Sequence, residues 1–138
     1  MNVADIPFNG FLGLQKGESG LTLPDDPKYL NHLGTVHASA QFALAEASSG
    51  EWLVSNFGDA VKDNLAVVRH VDLKYRRPSA GQLSARAEVP AEEADVFRET
   101  LERRGRASLA IAVQVVAADG QVTLEATFEW FAQRIHRA

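Results

Sequence analysis

The chain contains no cysteine, which excludes disulfides and thiolate metal sites and permits, without requiring, a reducing compartment. No apolar run approaches the ~20 residues of a membrane span. The opening MNVADIPFNG has no basic region followed by an apolar stretch, so no secretory leader is expected and a cytoplasmic location is the default. Neither sign of charge dominates. Fourteen Lys and Arg stand against 18 Asp and Glu, a net charge of −4, and nothing in that balance points to nucleic acid or a membrane as partner. A glycine-rich phosphate loop, a Ser/His/Asp arrangement and HExxH are all missing. His32, His70 and His136 follow no metal-ligand spacing and read as structural or surface residues, so no metal and no other cofactor is expected.

What is present reads as one domain over residues 1–138, a length that can bury a real core. The second half alternates with period two, the mark of half-buried antiparallel strands. Val71, Leu73 and Tyr75 share a face in AVVRHVDLKYRRP, as do Leu83, Ala85, Ala87 and Val89 in LSARAEV. Leu109, Ile111, Val113 and Val115 do so in ASLAIAVQVVA, and Val122, Leu124, Ala126, Phe128 and Trp130 in VTLEATFEW. Asp119-Gly120 between the last two predicts a short hairpin with both turn residues at positive φ, and RPSAG turns the chain between the first two. PAEEADVFRETLERRG interrupts the strands as a helix, opened by proline, closed by Gly105, with acids first and arginines last. FNGFLGL and GLTLP flank the turn-like QKGES and are expected to pair as an N-terminal hairpin. The order is hairpin, helix, four strands. The fold class is α+β, with a twisted antiparallel sheet wrapped around an Ala-rich helix.

That helix is NHLGTVHASAQFALAEASSG, residues 31–50. Thr35 is its expected cap, with His37, Ala38 and Ser39 in the first turn, where backbone N–H groups lack internal partners and favour an oxyanion. From Leu33 to Gly50 the only carboxylate is Glu46. It shares a helical stripe with Ser39, Phe42, Ala43, Ser49 and Gly50. A lone Glu on a helix is ordinarily a solvated surface residue. Buried without a partner, its pKa rises, and such carboxylates concentrate at functional sites.

Asn31, Gly34, His37, the small pair Ala38-Ser39 and the acid nine positions after the histidine resemble the signature of hot-dog-fold acyl-CoA thioesterases. The branch is that of phenylacetyl-CoA and 4-hydroxybenzoyl-CoA thioesterases, and hot-dog domains of unassigned function are similar too. YRRPSAGQLSARAEV and GRASLAIAVQVVAADGQVTLEATFEW resemble that family's strands. The resemblance implies a catalytic carboxylate at Glu46, backbone N–H groups at Ala38 and Ser39 that polarise the thioester carbonyl, and Asn31 and His37 shaping the turn. It implies acyl-CoA as substrate, with Arg76, Arg77 and Arg106 as candidates for its phosphates and Phe42 for its acyl group. Phe42, Trp52 and Phe57 could line an acyl pocket, though two of the three read more simply as core. The chain departs from the family in three places. Ala and Ser replace two glycines, Val68 stands where some relatives carry a hydroxyl, and the helix from Pro90 to Gly105 is longer than the usual connection.

The carboxylate can act as general base or as nucleophile. Ser39 and Glu46 are ~10 Å apart along a helix, so both touch one carbonyl only if they come from different chains. This agrees with the homodimer or dimer of dimers the family implies. The competing class is a non-catalytic hot-dog module that binds acyl-CoA or another acyl ligand. A hydratase on this fold would need a paired Asp/His helix motif, which is not found.

Overall fold

The computed structural model describes residues 1–18 and 20–135; His136 lies outside them. Six strands form one antiparallel sheet in the order β1-β2-β4-β5-β6-β3. In chain order these are β1 Gln15–Gly17, β2 Gly20–Leu23, β3 Asn64–Tyr75, β4 Leu83–Glu88, β5 Arg106–Ala117 and β6 Val122–Arg134. Among the described residues three α-helices accompany them, α1 Pro7–Leu12, α2 Ala38–Lys62, kinked at Phe57 (φ −134°, ψ 36°), and α3 Ala91–Arg104, with short 3-10 turns at Val3–Asp5 and Pro27–Tyr29.

The sheet curls around α2, as expected. Ala40, Ala43, Ala45 and Ala47 are buried on the helix, and their small side chains let the strands approach. Leu83, Ile111, Val115, Leu124 and Phe128, at 0% exposure, come from the strand faces that alternate toward it. α3 closes one end as predicted. Gly105 ends it in the left-handed conformation (φ 74°). Phe97 packs edge-on against Phe57 of α2, with ring centroids 5.2 Å apart, and Phe57 meets Trp52 at 5.7 Å. Phe57 is buried and Trp52 partly buried in this cluster, while Phe42 stays 36% exposed.

Four local expectations are corrected. FNGFL is helical: Pro7 sits in its first turn and Gly13 (φ 81°) ends it. The hairpin therefore forms one segment later, with QKG as β1 paired to β2. α2 is displaced from 31–50 to 38–62. Gly34 at φ 77° cannot continue a helix, and Asn31 folds residues 31–35 into a turn by accepting from Leu33 N at 2.9 Å and Thr35 N at 3.1 Å. Gly50 does not end the helix, and a Cβ there would meet the Trp130 ring at 3.5 Å, an ordinary contact. In the β5–β6 hairpin only Gly120 has positive φ (86°). Its N–H bonds Ala117 O at 2.9 Å, giving a three-residue loop with a left-handed glycine last.

β3 forms one edge of the sheet. A register shift between Val68 and His70 places Arg69 in a bulge, and this is where the sequence alternation changes phase, from Ala66 and Val68 to Val71 and Leu73.

Candidate active site

The N-terminus of α2 is held at several points. His37 N bonds Tyr29 O at 2.7 Å, and Val36 N bonds Ser79 O at 2.9 Å. Tyr75, the last residue of β3, donates its hydroxyl to Ala38 O at 3.0 Å. The cap is His37, not Thr35. Its Nδ1 accepts from Ser39 N at 2.9 Å, while the Thr35 hydroxyl is engaged with the Asn31 side chain. Accepting at Nδ1 assigns the imidazole proton to Nε2 in the neutral ring. The Ser39 N–H is thereby committed. The Ala38 N–H donates to no described residue, and Ala38 is exposed. An exposed helix N-terminus with one unclaimed N–H offers a donor to an anion or a polarised carbonyl.

Glu46 lies two turns further on, half-buried. Its carboxylate makes no hydrogen bond or ion pair with any described residue. Burial without a partner pushes its pKa above the ordinary 4.5. Its neighbours on the stripe are set against two rings of β6. One turn back, Phe42 packs on Phe128, with centroids 5.7 Å apart. One turn ahead, Ser49 accepts from Trp130 Nε1 at 2.9 Å and donates to Glu46 O at 2.6 Å. Ala38 and Glu46 are ~12 Å apart along the helix axis, so a single carbonyl touches both only with groups from two chains.

Arg76 and Arg77 follow Tyr75 and therefore lie at the Ala38 end. Arg76 holds Glu125 through Nη2 at 2.7 Å and Nε at 3.1 Å, and Arg77 donates to Gln121 at 2.5 Å, all exposed. Arg76 N bonds Thr123 O at the start of β6, whereas Arg106 pairs with Gln133 near its end. Ten strand residues separate those two points, ~33 Å at ~3.3 Å each. One chain thus brings Asn31, His37, Ala38, Ser39, Arg76 and Arg77 to one end, Phe42 and Glu46 to the middle, and leaves Arg106 at the other end. Val68 pairs with Trp130 beside the bulge and is partly buried, a packing position.

Tyr75 and Ser49 are the site neighbours that sequence reading left without a role. Tyr75 counted only as the last apolar position of its strand; its place immediately before Arg76-Arg77 was the available signal. Ser49 was on the stripe, but its link to Trp130 spans 81 residues and left no trace in the local pattern.

Residues 10–132 match the model of a family described as "Domain of unknown function (DUF4442)". No curated protein matches the chain. Among solved structures, a Pseudomonas aeruginosa protein of unknown function, described as a probable thioesterase, superposes with a TM-score of 0.82 at 26% identity, over 96% of this chain and 91% of that one. A Haemophilus influenzae thioesterase gives 0.69 at 14% identity over 98% and 88%. A Bacillus halodurans protein solved with CoA gives 0.69 at 17% over 91% and 74%. The fold is the hot-dog fold, shared with thioesterase-like proteins. Among the described residues no helix is long and apolar enough to cross a membrane, and no cluster of His, Asp and Glu could hold a metal.

Proposed function

The chain belongs to the family described as a domain of unknown function (DUF4442), and we propose for it the hydrolysis of acyl-CoA thioesters to free acid and CoA. The observation that carries this reading is Glu46, an unpartnered carboxylate of raised pKa on an aromatic-backed stripe. A raised pKa makes a carboxylate a better base near neutral pH. In this reading the Ala38 N–H of one chain binds the thioester oxygen and stabilises the oxyanion. Glu46 of the other chain takes a proton from water as water attacks the carbonyl, and the C–S bond then breaks to release CoA thiolate, which takes up that proton; on the other route Glu46 attacks the carbonyl itself, expels CoA thiolate and forms an anhydride that water then opens. Phe42 contacts the acyl group. Asn31 and His37 fix the turn that aims the donor.

The two chains meet, in this proposal, along β3. It is a 12-residue edge strand with Leu65 56% and Val67 41% exposed, with no second neighbouring strand among the described residues, an edge suited to pairing with a second copy about a two-fold axis. Arg76 and Arg77 take CoA phosphates after releasing Glu125 and Gln121; exposed pairs of that kind contribute only ~0–1 kcal/mol and yield readily to a phosphate. One feature favours the second reading, a module that binds acyl-CoA without turning it over: His37 claims the Ser39 N–H, leaving a single backbone donor.

The test is turnover of short, medium, long and aromatic acyl-CoAs by the wild type and by Glu46→Gln. Loss of ~10²-fold or more in the variant, with the fold intact, is expected of a carboxylate base. A variant that retains more than about a tenth of wild-type turnover removes Glu46 from the chemistry. Binding without turnover by the wild type selects the second reading.

A further inference from the structure

α3 ends at Arg104, Gly105 turns the chain, and β5 begins at Arg106. This corner meets the end of β6 in a concavity of about 470 Å³ lined by Arg104, Gly105, Arg106, Gln133 and Arg134. Among the described residues it gathers three guanidinium groups and no side-chain carboxylate, in a chain whose net charge is −4. Cations at a helix C-terminus have an ordinary explanation, since the last carbonyls attract them. Here Arg134 fills that role: its Nη2 donates to Leu101 O at 3.0 Å and to Glu102 O at 2.9 Å. Its own N–H bonds Gly105 O at 2.7 Å, and its side chain crosses Gly105, where a Cβ would stand 3.7 Å from Nη1. Two of the last carbonyls, Leu101 O and Glu102 O, are therefore already satisfied by Arg134. Arg106 lies beyond the helix, on a strand, and serves no helix end. Neither Arg104 nor Arg106 makes an ion pair or side-chain hydrogen bond with any described residue. Like charges gathered around one hollow repel, and an anion among them reverses the sign of that energy. The planar guanidinium suits phosphate oxygens in particular.

We propose that the α3–β5–β6 corner is a phosphate-binding site, with Arg104 and Arg106 contacting the anion and Arg134, fixed by the helix carbonyls, completing the positive wall. The phosphate has two sources. One is a free phosphate or pyrophosphate. The other is the nucleotide end of CoA, and that source rests on the thioesterase reading. In one chain the corner is ~33 Å from Arg76 and Arg77 along the sheet. It lies beside the Asn64 end of β3, since Asn64 pairs with Arg134. Antiparallel pairing of two β3 edges sets the Asn64 end of one chain next to the Tyr75 end of the other, and so sets the corner near the other chain's Ala38.

Calorimetric titration with pyrophosphate and with CoA at low ionic strength tests this. The proteins are the wild type, Arg104→Glu/Arg106→Glu, and Arg86→Glu as a charge control on β4. The wild type and the control are expected to bind pyrophosphate alike, and the double variant at least about tenfold more weakly, the loss of one charge-assisted contact. Arg104→Gln/Arg106→Gln repeats the test without charge reversal, should reversal disturb the corner. Equal pyrophosphate binding by wild type and both double variants, or no binding by any, overturns the site. A parallel loss of CoA affinity identifies CoA as the source. Loss of pyrophosphate binding with CoA affinity unchanged supports the site with a free phosphate as its ligand. Turnover by the wild type judges the thioesterase reading separately in every case.

Discussion

Gln41 and Glu46 lie on the same helix, and the sheet treats them differently. Gln41 is 4% exposed and its Oε1 accepts from the hydroxyl of Thr123 at 2.9 Å. Glu46 is half-buried and makes no hydrogen bond or ion pair with any described residue. A polar group that the fold both buries and satisfies contributes to folding. One that it half-buries and leaves without a partner among the described residues keeps a desolvation cost, and such costs gather where a group must react. The contrast separates a structural side chain from the proposed catalytic one within a turn and a half of helix.

Exchanging the two chemistries tests the contrast most severely. Gln41→Glu places a carboxylate in the drier position with one hydroxyl for company. At pH 8 it is expected to lose about 3 kcal/mol or more in urea unfolding, with recovery as the pH falls and the new group protonates. If Gln41→Glu is as stable as the wild type at pH 8, the helix surroundings solvate carboxylates well, and the isolation of Glu46 loses its meaning.

Ala38→Pro probes the other half of the site. Proline at the first helical position removes only an N–H that bonds no described residue, and His37, at φ −60° and ψ 138°, already has the backbone that precedes proline. Turnover is expected to fall about 10²-fold, as for loss of one oxyanion donor, with little change in Tm. Full activity in a folded Ala38→Pro protein assigns the carbonyl to another donor.

A smaller effect sharpens the comparison by pH. Burial raises the pKa of Glu46 in the folded state above 4.5. Below 4.5 the group is protonated folded or unfolded and costs nothing. As pH rises through the window between 4.5 and the folded value, the unfolded chain ionises first and stability falls; above the folded value the full cost persists. Glutamine has no such term. Glu46→Gln is therefore expected to match the wild type near pH 4 and to be the more stable protein at pH 8, in urea titrations at one fixed protein concentration. Greater stability of the wild type at pH 8 means that the carboxylate has a stabilising partner in solution.

The strands and α3 were legible because their signals are local: period-two alternation, a proline opening, a glycine close, and charges matched to the dipole. The N-terminal helix was not, because aromatic residues and glycines in FNGFLGL mimic a strand while Pro7 and Gly13, six apart, mark its ends. The start of α2 was misplaced because Asn31 and Gly34 build a turn whose polarity looks like a cap. For the site, the sequence isolated Glu46 and located the helix N-terminus. It did not reveal which N–H remained free, since that depends on the direction of one imidazole nitrogen of His37. Nor did it reveal that Arg106 lies far from Arg76 and Arg77, since that follows from strand register alone.

The proposed chemistry needs a site shared between two chains, with the donor from one and the acid from the other. Two inactive variants, Glu46→Ala and Ala38→Pro, each shown first to fold and to self-associate, test it when unfolded, mixed and refolded together. In a mixed dimer one site has both its Ala38 N–H and its Glu46, and the other has neither. Random association makes about half of the dimers mixed, so roughly a quarter of wild-type turnover is expected to return under two-fold symmetry. If the mixture turns over no more acyl-CoA than the two variants refolded separately, the donor and Glu46 do not meet across an interface, and the proposed mechanism is wrong.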